Sequence, residues 1–286
     1  MPKVYFKTIV SGSYELPFVL LNLYELANVC DEFWITEANR THTGDEKDYN
    51  FKSYFEEHIK KSFPKARFLE IDIAHEVTVW NDKNQTDDVL RFNEYLTRSS
   101  FISYINKLDD KDIVISVDGD EVILNSLPLR ILIFAMKCWP FKKPLAFLLT
   151  LRQFLFYINL YMSQYDFYGP TISHSKFYTD QKKPDWRYGG RRIQKPLGCH
   201  FSWIMTAEGM RNKILTYGHR DRFKHLASLE TLESVRGGNY GLFEPNAPLG
   251  PIQVTSYKSK LLPRSLSKVK NFLDYRLILN SKSFWD

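Results

Sequence analysis

The chain has 286 residues, 44% hydrophobic, 15% aromatic and 25% charged, a make-up that supports a sizeable core and excludes a long disordered or low-complexity protein. Its formal net charge of +6 is uneven: from Lys258 to Lys282 stand seven basic residues (Lys258, Lys260, Arg264, Lys268, Lys270, Arg276, Lys282) and one acid, Asp274. The rest is nearly balanced and carries no recognised nucleic-acid-binding motif, so a nucleic-acid partner is not expected.

Residues 4–10 read as a buried first strand, ended by Ser11-Gly12-Ser13. Leu16, Val19, Leu20, Leu23 and Leu26 follow at helical spacing, with Ser13 as candidate cap and Pro17 in the first turn. Residues 32–36 and 67–73 are strand-like, with a helix at 51–62 between them. Residues 87–108 read as one long amphipathic helix with Val89, Phe92, Leu96 and Ser99 on one face. Residues 112–117 form a short apolar, β-branched run, as in a central strand. Strands alternating with helices predict an α/β sheet with crossover helices, which binds ligands beyond the carboxyl ends of its strands.

The apolar stretch 127–162 is interrupted by Arg130, Lys137, Pro140, Lys142, Lys143, Pro144 and Arg152, too often for a membrane span. It reads as buried helix, turn and buried strand. Residues 180–195, with Gly189-Gly190-Arg191-Arg192, read as a loop, 199–205 as a strand and 207–217 as a helix. The division expected is a catalytic domain over 1–257 and a basic tail over 258–286. In the tail, Leu266, Val269, Leu273 and Leu277 alternate with basic residues, which suits either a peripheral membrane contact or a helix docked on the core. Cys30, Cys138 and Cys199 show no CxxC spacing, and the opening Met-Pro-Lys-Val-Tyr-Phe leads into strand-like sequence without a signal-peptide pattern. Both point to a reducing, cytoplasmic setting.

The chemistry centres on Asp118-Gly119-Asp120-Glu121, directly after the central strand. In extended chain, residues two apart point the same way, so Asp118 and Asp120 present two carboxylates to one hard cation, Mn²⁺ or Mg²⁺. Such an ion would offset charge developing on a nucleoside-diphosphate leaving group. The same Asp-x-Asp after a strand is also the nucleophile motif of haloacid-dehalogenase-type phosphatases, with Asp118 as nucleophile and Asp120 as acid/base. That motif usually opens its domain, whereas here about 110 residues of sheet-like sequence precede it. A non-catalytic carbohydrate-binding protein would explain the aromatic residues but not the Rossmann-like first half.

Four segments in order resemble glycosyltransferase family 17, whose best-known member adds the bisecting N-acetylglucosamine to N-glycans. They are Phe33-Trp-Ile-Thr-Glu-Ala-Asn-Arg-Thr-His-Thr-Gly-Asp-Glu-Lys47; Arg98 with residues 112–121; Leu151-Arg-Gln-Phe-Leu-Phe-Tyr-Ile-Asn-Leu-Tyr; and Leu197-Gly-Cys-His-Phe-Ser-Trp203 with Glu208. Departures are Val122 for the usual Ile, no Pro after it, Cys199 for Trp, and no membrane anchor. The resemblance implies a GT-A-like α/β fold with a mixed sheet, a divalent cation, a UDP-sugar donor, a glycan or glycolipid acceptor, and inversion at the anomeric carbon. It places Asp118 and Asp120 at the metal, with Glu121 in support. Glu37, Asn39 and Thr41 fall to the nucleotide or its ribose, and Lys47 and Arg98 to phosphate. Glu208 is then the expected base and His200 a ligand of diphosphate or metal. His219 and His225 are weaker metal candidates, and Arg191 and Arg192 would close over the donor.

Overall fold

The structure, a computed structural model, describes residues 1–77, 87–180, 190–216, 223–238, 252–254 and 259–273. Strands β1 (Val4–Ile9), β2 (Glu32–Ala38), β3 (Ala66–Ile71) and β4 (Ile113–Asp118) are parallel in the order β3-β2-β1-β4. The sheet continues through β7 (Leu160–His174), antiparallel to β4, then β6 (Ala146–Leu155), β8 (Arg191–Ser202) and β5 (Glu121–Ile123); β9 (Ile252–Val254) pairs with β7. This is an α/β architecture with a mixed central sheet, as the alternation and the resemblance led us to expect. β1 and β4 are buried on both faces, as their apolar runs require.

Helix α1 (Leu16–Leu26) packs Leu16, Phe18, Val19, Leu20, Leu21, Leu23 and Leu26 into the main core, each under 5% exposed. Burying each such side chain contributes about 1.5–3 kcal/mol relative to exposure. Ser13 does not cap α1: residues Ser13–Glu15 form a short 3₁₀ turn, and the Glu15 carboxylate accepts the Ser11 and Gly12 N–H groups. Asn22, buried inside this apolar helix, turns to the backbone of β5. Its Nδ2 donates to Glu121 O at 2.8 Å, and its Oδ1 accepts Ile123 N–H at 2.9 Å. β5 is the last strand on its side, and this side chain takes up its free backbone groups. On the other side of β5, Gly198 lets β8 approach, since a Cβ there would stand 2.2 Å from Val122 O.

The helix at 50–59 has an α segment, α2 (Asn50–Tyr54), running into a π-turn at Phe55–Ile59. The expected single helix at 87–108 is two, α3 (Asp87–Ser99) and α4 (Ile102–Ile105). Ser99 and Ser100 hydroxyls bond back to Leu96 O and Thr97 O, competing with the helix ladder, and the chain turns so that Phe101 is buried with the Lys7 ammonium 4.1 Å from its ring centre. The face of α3 turned inward is only partly the expected one: Leu96 is buried, as expected. Phe92 is 47% exposed, whereas Leu90, Asn93, Glu94 and Thr97 are buried.

Helix α5 (Leu127–Lys137) buries Leu129, Ile133 and Met136 but leaves Leu127, Ile131 and Phe134 exposed, so it is not the buried helix expected. Its sequence is apolar on two opposite faces, with Arg130 and Lys137 at the side between them, while the core takes up one face. Arg191 and Arg192, expected in a loop, begin β8 beside Phe147 and Leu148 of β6, a partner distant in sequence. Helix α6 (Ser175–Thr179) and α7 (Ala207–Thr216) follow β7 and β8, and α8 (Leu229–Arg236) packs beside α7. In the tail, a 3₁₀ helix at Arg264–Phe272 docks on the core through Leu266, Val269 and Leu273, and Ser265 is fastened to Glu25 of α1 through its N–H (2.9 Å) and hydroxyl (2.7 Å).

Asn22→Leu keeps the volume but leaves Glu121 O and Ile123 N–H unpaired. We expect a loss of about 2–4 kcal/mol in urea unfolding. A variant within about 0.5 kcal/mol of wild type would show that α1 does not hold β5.

Candidate active site

The carboxyl ends of β1, β2 and β4 open into a cleft of about 460 Å³, lined at those ends by Ile9, Ala38 and Asp118. That volume lies in the range of small-molecule sites. The acidic turn forms part of its wall, with Asp118, Gly119 and Asp120 all on the lining.

Each aspartate is held by a cation from a distant part of the chain. Arg98 of α3 reaches Asp118 Oδ2 at 3.1 Å and Glu94 at 2.6 Å. Lys213 of α7 reaches Asp120 Oδ2 at 2.9 Å, and His200 Nε2 of β8 stands 3.6 Å from Asp120 Oδ1. Burial alone would raise the Asp120 pKa, but Lys213 and His200 outweigh it and hold the carboxyl far below the usual range.

His200 is oriented from behind. Gln153 Nε2 donates to Phe154 O, so its Oε1 accepts from His200 Nδ1–H at 2.7 Å. The His200 Nε2 faces Asp120 Oδ1. Phe167 packs on the imidazole with ring centres 3.9 Å apart. Trp203 takes a left-handed backbone (φ 59°) where β8 ends, and Lys213 lies 5.2 Å from the centre of its ring. For a bulky residue that conformation is costly, and it sits at the cleft wall.

Glu15, 4% exposed, lies against Gly119, where a Cβ would come within 2.5 Å of its carboxyl carbon. Burial and the Asp120 charge push its pKa up to about 8. Glu15, Tyr14, Glu94, Phe167, Trp203 and Lys213 all line the cleft, and the sequence reading named none of them as site residues. Glu15 carried the one usable signal, a carboxylate just after the first strand of a sheet that binds ligands there.

The expected site residues divide. Asp118, Asp120, Arg98, His200, Thr41 and Lys47 line the cleft; Glu37, Asn39, Glu121 and Glu208 do not. Glu37 is fully buried, pairs with Lys47 at 2.5 Å and accepts Phe51 N–H at 2.9 Å. Burial raises its pKa in spite of Lys47. Asn39 ties β2 to the chain after β3 through Asp72 and Ile73 N–H. Glu121 accepts the Asp118 N–H at 2.7 Å and so braces the acidic turn from within. Glu208 is exposed on α7, where it does not reach the cleft wall that a base for a bound acceptor must share. His225 is exposed, His219 lies outside the described residues, and Arg191 and Arg192 are exposed on β8, with Arg192 stacked on Tyr168. Among the described residues no three His, Cys, Asp or Glu side chains are gathered closely enough to form a complete metal site.

The comparisons bear on this cleft. A galactosyltransferase LgtC, solved with donor and acceptor sugar analogs, matches at 14% identity over 44% of this chain and 41% of that chain, with a TM-score of 0.27. An active-site mutant of LgtC matches at 13% identity over the same shares, also at 0.27. The chain spans less than half the length of either structure, and at that TM-score the superposition says nothing about the site. Curated proteins gave no match. The family model described as glycosyltransferase family 17 matches residues 1–236, which takes in the whole cleft lining from Ile9 to Thr216. The chain belongs to glycosyltransferase family 17.

Proposed function

We propose that the cleft binds a UDP-sugar and transfers its sugar, with inversion, to a hydroxyl of a glycan or glycolipid; likeness to family 17 favours N-acetylglucosamine as the sugar. The observation that carries this reading is the acidic turn set among cations at the carboxyl end of the parallel strands. Arg40, Lys47, Arg91, Arg98 and Lys213 line the cleft together with Glu15, Glu94, Asp118 and Asp120. With Glu15 largely protonated at neutral pH, the balance is positive and suits a diphosphate.

The donor chemistry fits Mn²⁺ or Mg²⁺. Asp118 and Asp120 offer hard oxygen ligands, and His200 Nε2 faces Asp120 Oδ1 with its other nitrogen committed to Gln153. We assign the ion to the two aspartates and His200 to the diphosphate; when bound the ion would offset charge on the departing diphosphate. Arg98 and Lys213 hold the two carboxylates in place.

In one displacement the acceptor oxygen bonds to the anomeric carbon, the bond from that carbon to the diphosphate oxygen breaks, and the hydroxyl proton passes to a base. Glu15 lines the cleft and has a proton affinity matched to that task near neutral pH, so we assign the proton to it in place of Glu208. Phe167 and Trp203 offer ring faces for the apolar side of a sugar. Much of the rate then comes from holding donor, base and acceptor in line.

The test is nucleotide release from UDP-, GDP-, CMP- and dTDP-sugars with Mn²⁺ or EDTA, beside Asp120→Ala and Lys213→Met. We expect turnover of a UDP-sugar that EDTA stops and Asp120→Ala lowers by about 1,000-fold. Turnover that survives EDTA but is lost in Lys213→Met would give the charge role to the lysine alone. No turnover of any donor sinks the proposal.

Glu15 yields a separate expectation. Its folded pKa of about 8 stands above its unfolded value of 4.5, so its contribution to stability is present below the unfolded value and is lost as pH rises through the folded one. Wild type should weaken between about pH 5 and pH 9 relative to Glu15→Gln, on the order of 3 kcal/mol in urea unfolding. The rising limb of the wild-type rate near pH 8 should vanish in the same variant. Parallel stability profiles would place the Glu15 pKa in the ordinary range and remove it as the base.

A further inference from the structure

Helix α5 and the turn after it carry an apolar surface that the sheet leaves uncovered. Leu127, Ile131 and Phe134 recur at helical spacing opposite the buried Leu129, Ile133 and Met136, and they are 70%, 58% and 69% exposed; Phe141, just beyond the helix, is 61% exposed. The turn is ordered. Trp139 packs edge-on against Phe141 with ring centres 4.8 Å apart, and its Nε1 donates to Lys143 O at 3.0 Å. One exposed apolar side chain needs no explanation, but a run of large ones along one helix face marks an interaction surface.

The charge around it says what kind of surface it meets. Residues 122–165 contain no Asp or Glu, and Arg130, Lys137, Lys142 and Lys143 stand among the exposed apolar residues. The acid that shares a hollow with Phe141 and Lys142 is Asp110, paired with Lys176 at 3.7 Å. An apolar stripe with aromatic residues and a mainly basic rim, whose neighbouring acid Asp110 is paired with Lys176, fits an anionic lipid surface: the apolar side chains enter the acyl boundary and the cations stay with the headgroups. An 11-residue helix is about 16 Å long, roughly half a bilayer core, so it lies in the interface. No helix among the described residues is long and apolar enough to cross a membrane. The C-terminal tail is a weaker candidate, because its Leu266, Val269 and Leu273 are already buried in the core.

We propose that the exposed face of α5, with the Trp139–Phe141 turn, docks the protein on an anionic lipid bilayer. This stands on its own residues and not on the donor or the reaction. The experiment is flotation of the full chain with vesicles of phosphatidylcholine alone and of phosphatidylcholine mixed with phosphatidylglycerol. Wild type should float with the anionic vesicles and lose this in high salt. Phe134→Glu, Ile131→Glu, and the pair Lys142→Glu with Lys143→Glu should each lower the bound fraction about tenfold. These residues are exposed, so unchanged thermal melting of each variant will separate lost docking from lost folding. Failure of wild type to float, or equal flotation of all variants, overturns the proposal. So does a concentration-dependent dimer in sedimentation velocity that Phe134→Glu abolishes while vesicles go unbound, since a second copy would then be what covers the face.

Discussion

Two carboxylates two residues apart repel each other, and the site depends on holding both beside a buried strand end. Neither is paid for locally. Asp118 relies on Arg98 from α3, and Asp120 on Lys213 from α7 with His200 from β8. A carboxylate as enclosed as Asp120 persists in its charged form only where such partners offset the loss of hydration. The cations thus serve twice: they hold the acids in place before any ligand arrives, and they leave the cleft with a positive bias that suits a diphosphate.

The backbone beneath that turn is equally constrained. β4 runs between β1 and β7, yet three residues after its end the chain is already in β5, on the far side of β8. Glu121 receives the Asp118 N–H inside this reversal, Phe201 N–H bonds to Asp120 O, and Asn22 holds the outer edge of β5. Gly198 is required because the backbone Val122 O occupies the space that a side chain would need, and at Gly119 a side chain would displace the Glu15 carboxyl. One short segment therefore links the first strand, the last edge and the charged pair.

The stretch from Glu37 to Lys47 shows how a motif divides its labour. Glu37 and Asn39 face protein: one anchors Lys47 and the start of the next helix, the other ties the ends of two strands together. Thr41 and Lys47 reach the cleft. Removing Glu37 would be felt at the cleft through Lys47, although Glu37 is not on the lining. The tail behaves similarly, since its apolar side is spent on α1 and the core and Ser265 locks it to Glu25.

Periodicity, composition and local motif determined much of this protein from the sequence alone. The strands at 4–10, 32–36, 67–73 and 112–117, the first helix, and the placing of Asp118 and Asp120 at a strand end were legible because each depends on neighbours a few residues away. Tertiary structure decided the rest. That α3 turns Glu94, Thr97 and Arg98 inward instead of Phe92, that α5 keeps an apolar face outside, and that Glu37 props Lys47 all depend on which faces the sheet had room to cover. Lys213 meets Asp120 across 93 positions, and Glu15 meets Gly119 across 104. No local pattern encodes such pairings, because the energies that select them, charge compensation at Asp120 and close packing at Gly119, exist only once the sheet has brought the distant segments together.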